Sequence, residues 1–196
     1  MNGPLNGVRV VELGVWVAGP ACAGVLADWG AEVIKVEPPE GDPQRNIFGA
    51  LGQSDQPAVA PFEIDNRGKK SVVIDLREPA GLERMYELLS SADAFVTNVR
   101  LAALARLGLD PETVRAKFPK LVYGIVTGYG LTGPDAHRPG YDLGGYWARS
   151  GLAHTLVPPG ANPPPNRSGQ GDHVTAMSLV AGVSAALFDA QRTGNG

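Results

Sequence analysis

One aspartate, Asp172, separates a glycine-rich approach from a long apolar run in "RSGQGDHVTAMSLVAGVSAALF". Asp is a preferred helix N-cap, so the position has an ordinary structural reading. It also has a chemical one. A carboxylate at a helix N-terminus meets unsatisfied N–H groups and a partial positive charge, and both favour its ionised form. Approached by glycines that let a bulky substrate come close to the backbone, such a carboxylate is suited to act as a nucleophile. A second cluster, "NRGKKS", places Asn66, Arg67, Lys69 and Lys70 immediately before an apolar run. It reads either as a solvated turn or, beside a cleft, as a set of point charges for phosphates. Arg100 and Arg106, further along, admit the same two readings. The histidines His137, His154 and His173 lack metal-ligand spacing and Cys22 is the only cysteine, so no metal centre is expected. The turn after the first strand, "ELGVWVAGPACAG", lacks G-x-G-x-x-G, and G-x-x-x-x-G-K-[ST] does not occur, which leaves a nicotinamide cofactor and a P-loop without support.

These residues need elements to hold them. "VRVVEL" (8–13) and "AEVIKVE" (31–37) are β-branched and apolar between turn residues, and the small-residue segment "AGPACAGVLADWG" between them holds one helix that Gly30 ends. The pattern recurs as "SVVIDL" from Ser71, a helix from Pro79 to Ser90, "AFVTN" from Ala94, helical turns over 101–107 and 111–118, and a strand from Leu121. Strand and helix alternate throughout. The alternation predicts an α/β fold with an open, mostly parallel, Rossmann-like sheet, helices on both faces, and ligands at the carboxyl ends of the strands. After Tyr129 the rhythm gives way to a Gly/Pro-rich connection reaching Gly171. Its aromatic part, "YDLGGYWARSG", is expected to pack, and "PPGANPPPN" to run as an extended surface strap. The run from His173 to Arg192 reads as a buried helix packed on several sides and capped by Gly194.

The 196 residues suffice for one sizeable domain, and no internal repeat or boundary divides them. A net charge of −3 with no long Lys/Arg run gives nothing to draw in nucleic acid. The apolar stretch from Val174 to Phe188 is shorter than the roughly 20 residues of a bilayer span, and the N-terminus lacks a signal-peptide pattern. A cytoplasmic protein with no membrane partner is expected.

Taken in order, "GVRVVELGVWVAGPACAGVLADWGAEVIKVEPPEGDPQR", "NRGKKSVVIDL", "VTNVRLAALARLGL", "GYGLTGP", "RPGYDL" and "GDH" with its small-residue helix resemble the class III CoA-transferases, the CaiB/BaiF type that includes formyl-CoA transferase and carnitine CoA-transferase. The resemblance covers residues 1–196 as the N-terminal part of the large domain. The family's small domain and the remainder of the large domain have no counterpart. It implies transfer of coenzyme A between an acyl-CoA and a carboxylic acid, with Asp172 as the nucleophile passing through an aspartyl anhydride and an aspartyl-CoA thioester. No tightly bound cofactor is implied, since coenzyme A enters as part of the substrate. The same resemblance puts Lys69, Lys70, Asn98, Arg100 and Arg106 on CoA, and Arg138, Tyr141 and Asp142 near the acyl or acid pocket. It also implies a homodimer, or a complementary C-terminal half as partner. Val17 stands where formyl-CoA transferase has a glutamine, which disfavours a formyl substrate, and Leu101 and Ala102 replace the family's usual proline-glycine.

Two alternatives remain open at this level. One is an α-methylacyl-CoA racemase of the same fold, in which a histidine precedes the aspartate of "GHD"; here that position is Tyr141, and a phenol with a pKa of about 10 is a poor proton shuttle at neutral pH. The other is a truncated, non-catalytic chain that binds CoA or depends on a partner half.

Overall fold

The computed structural model describes residues 3–50, 59–164 and 166–196. Its centre is β1 (Arg9–Leu13), whose Val10 and Val11 are fully buried, as expected for a strand covered on both faces. A tight crossover through α1 (Ala18–Asp28) leads to β2 (Glu32–Glu37), and α3 (Ala60–Asn66), after the short α2 (Ile47–Ala50), leads to β3 (Lys70–Val73). The chain then returns through α4 (Pro79–Ser90) to the other side of β1. There it lays down β4 (Ala94–Thr97), α5 (Leu101–Arg106), α6 (Pro111–Lys117) and β5 (Val122–Ile125). The five strands are all parallel in the order β3-β2-β1-β4-β5. The order reverses between β1 and β4, so the segments that leave their carboxyl ends turn to opposite faces of the sheet and leave a crevice where ligands bind in open α/β sheets.

Successive side chains of a strand point to opposite faces, and here each face has its own core. Val10, Val33, Val96 and Val122 pack under α1 and the last helix, α8 (Gln170–Thr193), through Cys22, Leu26, Ala176, Val180, Val183 and Leu187. Val11, Val36 and Phe95 pack under α4, α5 and α6 through Met85, Leu89, Leu104 and Val114. The helix read over Pro79–Ser90 has those bounds, with Pro79 in its first turn, where a missing N–H leaves no bond unmade.

Two expectations for the second half need correction. The aromatic segment after Gly140 is not packed throughout. It forms a π-helical turn, Leu143–Arg149, followed by α7 (Leu152–Leu156), with Tyr141, Leu143 and Leu156 largely exposed and Asp142, Gly145, Tyr146, Trp147 and residues 151–153 partly covered. The strap beyond it is exposed over 158–164, and its Pro165 lies outside the described residues. Nor is α8 buried on several sides. Its 24 residues contain an 18-residue stretch of mean hydropathy 1.4, long and apolar enough to cross a membrane, but one face is locked into the sheet's core while Val174, Met177 and Phe188 are exposed on the other.

Candidate active site

A cleft of about 1020 Å³ opens at the carboxyl ends of β1, β4 and β5. It is lined by the turn after β1 (Val15–Ala18), the start of α5, the loop 136–142 and the first turn of α8. Asp172, Asn98, Arg100, Arg106, Arg138, Tyr141 and Asp142 all line it, so most of the residues singled out from the sequence are brought together. Lys69 and Lys70 are not among the lining. Lys70 begins β3 beside Ile34 and pairs with Glu32 at 2.7 Å on an exposed surface. Lys69 is buried, its ammonium donating to the Pro20 carbonyl at 2.8 Å and to Asn66 Oδ1 at 2.9 Å, and lying 2.7 Å from Glu12 Oε2.

The wall opposite Asp172 is a constrained turn. Trp16 has φ = 62°, a left-handed conformation that costs a residue with a side chain about 1–3 kcal/mol and persists only where its surroundings impose it. They do so through four hydrogen bonds. Trp16 N–H donates to Asp42 Oδ1 at 3.1 Å, Val15 N–H to Asn98 Oδ1 at 3.0 Å, Asn98 Nδ2 to the Val15 carbonyl at 2.7 Å, and Lys35 Nζ to the Gly14 carbonyl at 3.0 Å. Beneath the turn Lys35 also meets Glu12 and Asp42, each at 2.9 Å, and all three side chains are almost wholly buried. Burial, the largest influence on Lys35, works against its charge, but Glu12 and Asp42 outweigh it and raise its pKa. Burial dominates at Lys69, pushing its ammonium down to about 8 in spite of Glu12.

Asp172 itself departs from expectation. It is the third residue of α8, not the cap; the cap is Gly169, whose φ of 77° only glycine adopts without strain. A carboxylate does satisfy the helix start, but it belongs to Asp142, whose Oδ1 accepts from Gly171 N–H at 2.8 Å. Any side chain on Gly171 would overlap the Tyr146 ring and Asp142 Oδ1, so glycine is needed there to let both reach the turn. Nor is Asp172 held in the ordinary carboxylate range. Burial, then the neighbouring charge of Asp142, push its pKa up to about 6, against the opposing pull of His173. The result is a half-buried carboxylate, ionised at neutral pH yet more basic than an exposed one.

Sequence reasoning missed the group behind Asp172. His173 Nε2 lies 2.9 Å from Asp65 Oδ1, and its Nδ1 2.7 Å from the Gly169 carbonyl oxygen. Arg100 and Arg106 are exposed at the cleft and make no ion pair among the described residues, whereas Arg138 is engaged with Asp135 at 3.1 Å. Trp16, Tyr141 and Tyr146 give the cleft an aromatic lining. Among the described residues no group of three His, Cys, Asp or Glu side chains converges as a metal site would require.

This architecture is shared. A CAIB/BAIF family protein from Brucella suis superposes with a TM-score of 0.89 at 36% identity over all of this chain and 52% of its own. The (R)-2-hydroxy-4-methylpentanoate CoA-transferase of Clostridioides difficile is 42% identical over 98% of this chain and 48% of its own. The cinnamoyl-CoA:phenyllactate CoA-transferase of Clostridium sporogenes is 42% identical over 97% and 47%. The chain thus spans about half the length of the curated relatives it matches. The sequence model of CoA-transferase family III matches residues 5–196, and with the whole sheet and cleft inside that match, the chain belongs to CoA-transferase family III.

Proposed function

We propose that this protein transfers coenzyme A between an acyl-CoA and a carboxylic acid, with Asp172 as the nucleophile. The observation that carries the reading is the half-buried, elevated-pKa carboxylate of Asp172 at the helix start, facing a cleft at the switch point of a family III chain. An Asp172 oxygen attacks the thioester carbonyl, the C–S bond breaks, and CoA leaves as thiolate with an acyl-aspartyl anhydride behind it. The thiolate attacks the aspartyl carbonyl of the anhydride, releasing the donor acid as carboxylate and leaving an aspartyl-CoA thioester. The acceptor carboxylate attacks that thioester and expels the thiolate again, forming a second anhydride. The thiolate then attacks the acceptor's acyl carbonyl, which yields the new acyl-CoA and regenerates the Asp172 carboxylate. Nucleophilic catalysis of this kind divides one difficult exchange into easier steps. It also needs N–H donors for the oxyanions; those of Val15 and Trp16 are held by Asn98 and Asp42, which leaves Val17 and the backbone around Gly169 to supply them.

Arg100 and Arg106, exposed at the rim without acidic partners among the described residues, are suited to the phosphates of CoA. The aromatic lining favours a bulky apolar or aromatic acyl group, in keeping with the substrates named for the Clostridioides and Clostridium relatives. The chain supplies the nucleophile's half of the site, to be completed by the remainder of a longer polypeptide or by a partner chain. The test is to incubate the intact protein with a bulky acyl-CoA and an isotope-labelled acid in deuterated water. Labelled acyl-CoA without deuterium at its α-carbon is the expected product. Rapid α-exchange with no acceptor consumed would show the racemase chemistry instead.

A further inference from the structure

The first turn of α8 is held from two directions. Asp142 takes the Gly171 N–H from the cleft side, and from behind the imidazole of His173 bridges the Gly169 carbonyl oxygen and the Asp65 carboxylate. Both of the imidazole's partners can only accept. Both ring nitrogens must therefore carry hydrogen for the two contacts to be hydrogen bonds, and a ring protonated on both is an imidazolium. The surroundings favour that form: Asp65 of α3 faces the ring, Asp172 is next to it in the same turn, and Asp142 lies beyond Asp172. Burial works against the charge, but Asp65, the Gly169 carbonyl and Asp172 outweigh it. Asp65 is only 2% exposed, and its other oxygen accepts from Gln44 Nε2 at 3.2 Å. The buried Lys69, one layer further in, also feels its charge. A carboxylate this deeply buried requires partners, and beside the neutral amide of Gln44 the ionisable one that reaches it is His173.

We propose that His173, clamped as an imidazolium between Asp65 and Gly169, is a positioning residue. It fixes the rotation of the first turn of α8 so that the adjacent Asp172 carboxylate faces the cleft. It also leaves one positive charge beside a carboxylate otherwise neighboured by acids. His173 does not line the cleft, so it acts through Asp172 and not on the substrate. The inference rests on the nucleophilic reading of Asp172, but part of its test does not.

In the 15N-labelled intact protein at pH 7.5, two-bond proton–nitrogen spectra should show His173 protonated on both nitrogens, where an ordinary histidine with a pKa of about 6.5 is mostly neutral. Asp65→Asn, which keeps the shape and removes the charge, should return the ring to the neutral form. In the transferase assay His173→Gln and Asp65→Asn should each lower kcat on the order of 100-fold, the scale of a misplaced reacting group, with KM for acyl-CoA nearly unchanged. A merely structural role would lower stability and leave kcat per folded molecule intact. A neutral His173 ring in the wild-type protein, or a kcat in folded His173→Gln equal to wild type, would overturn the proposal. The spectra need no substrate, so a wild-type protein inactive with every acid offered would count against the proposed function, while a doubly protonated ring lost in Asp65→Asn would still support the clamp.

Discussion

Glu12 and Asp172 both bring a carboxylate toward the carboxyl end of the sheet, and their surroundings are opposite in charge balance. Glu12 shares a buried cluster with Asp42, Lys35 and Lys69, where acids and ammonium groups match in number. Asp172 stands near Asp142 and Asp65 with His173 as the cation beside them. A balanced cluster is scaffolding: it locks the Gly14–Trp16 turn in a conformation Trp16 would not otherwise adopt. At Asp172 burial, reinforced by the surplus of neighbouring acids, pushes the carboxyl group's pKa toward the working range, where a nucleophile is useful. Buried charge thus gives rigidity under the cleft and, on the proposed reading of Asp172, reactivity at its edge.

Breaking the balanced cluster should have the largest effect. Lys35→Met leaves Glu12 and Asp42 short of their shared cation, and a loss of about 3–5 kcal/mol of stability is expected in denaturant unfolding. An equal stability of Lys35→Met and wild type would mean that the cluster does not hold the turn. Next comes Gly171→Ala, whose methyl group must displace Tyr146 or Asp142 from the helix start. It should cost about 1–3 kcal/mol in thermal or denaturant unfolding, as overpacking does, and lower transfer activity along with it. The smallest effect sharpens the contrast, because its sign is reversed. Asp172→Asn should stabilise the fold above pH 6 by about 1–2 kcal/mol, after discounting for partial exposure.

The pH dependence of that last change follows from the raised pKa. Folded Asp172 titrates at about 6 against an ordinary 3.8, so the native state holds its proton more tightly than the unfolded chain between those values. Wild-type stability relative to Asp172→Asn should therefore fall as pH rises from about 4 to 6, remain low above that, and match the variant's below pH 4. Activity should follow the other branch: kcat/KM should fall as pH drops through 6, because only the ionised carboxylate attacks.

Much of the scaffold was legible in the sequence. The β-branched runs at 8–13, 31–37 and 94–98 announced strands because a parallel sheet covered on both faces needs continuous apolar stretches, and Pro79 marked its helix start. Asp172 was legible as chemistry, but its environment was not. The carboxylate that takes up the helix N–H, Asp142, lies 29 residues back within the Gly/Pro-rich connection, and the partner of His173, Asp65, is further away still along the chain. "NRGKKS" looked like a solvated or phosphate-binding turn because lysine is rarely buried; only the fold brings Glu12 under Lys69 and removes it from solvent. The left-handed Trp16 gave no signal either, since such backbone is ordinarily marked by glycine.

The most direct test of the reading is to trap the covalent enzyme. The intact protein is incubated with a bulky acyl-CoA, quenched with hydroxylamine or borohydride, and digested for mass spectrometry. A hydroxamate or reduced side chain at Asp172, absent without acyl-CoA and absent in Asp172→Asn, is the predicted result. Steady CoA transfer by a protein whose Asp172 never acquires the label would contradict it.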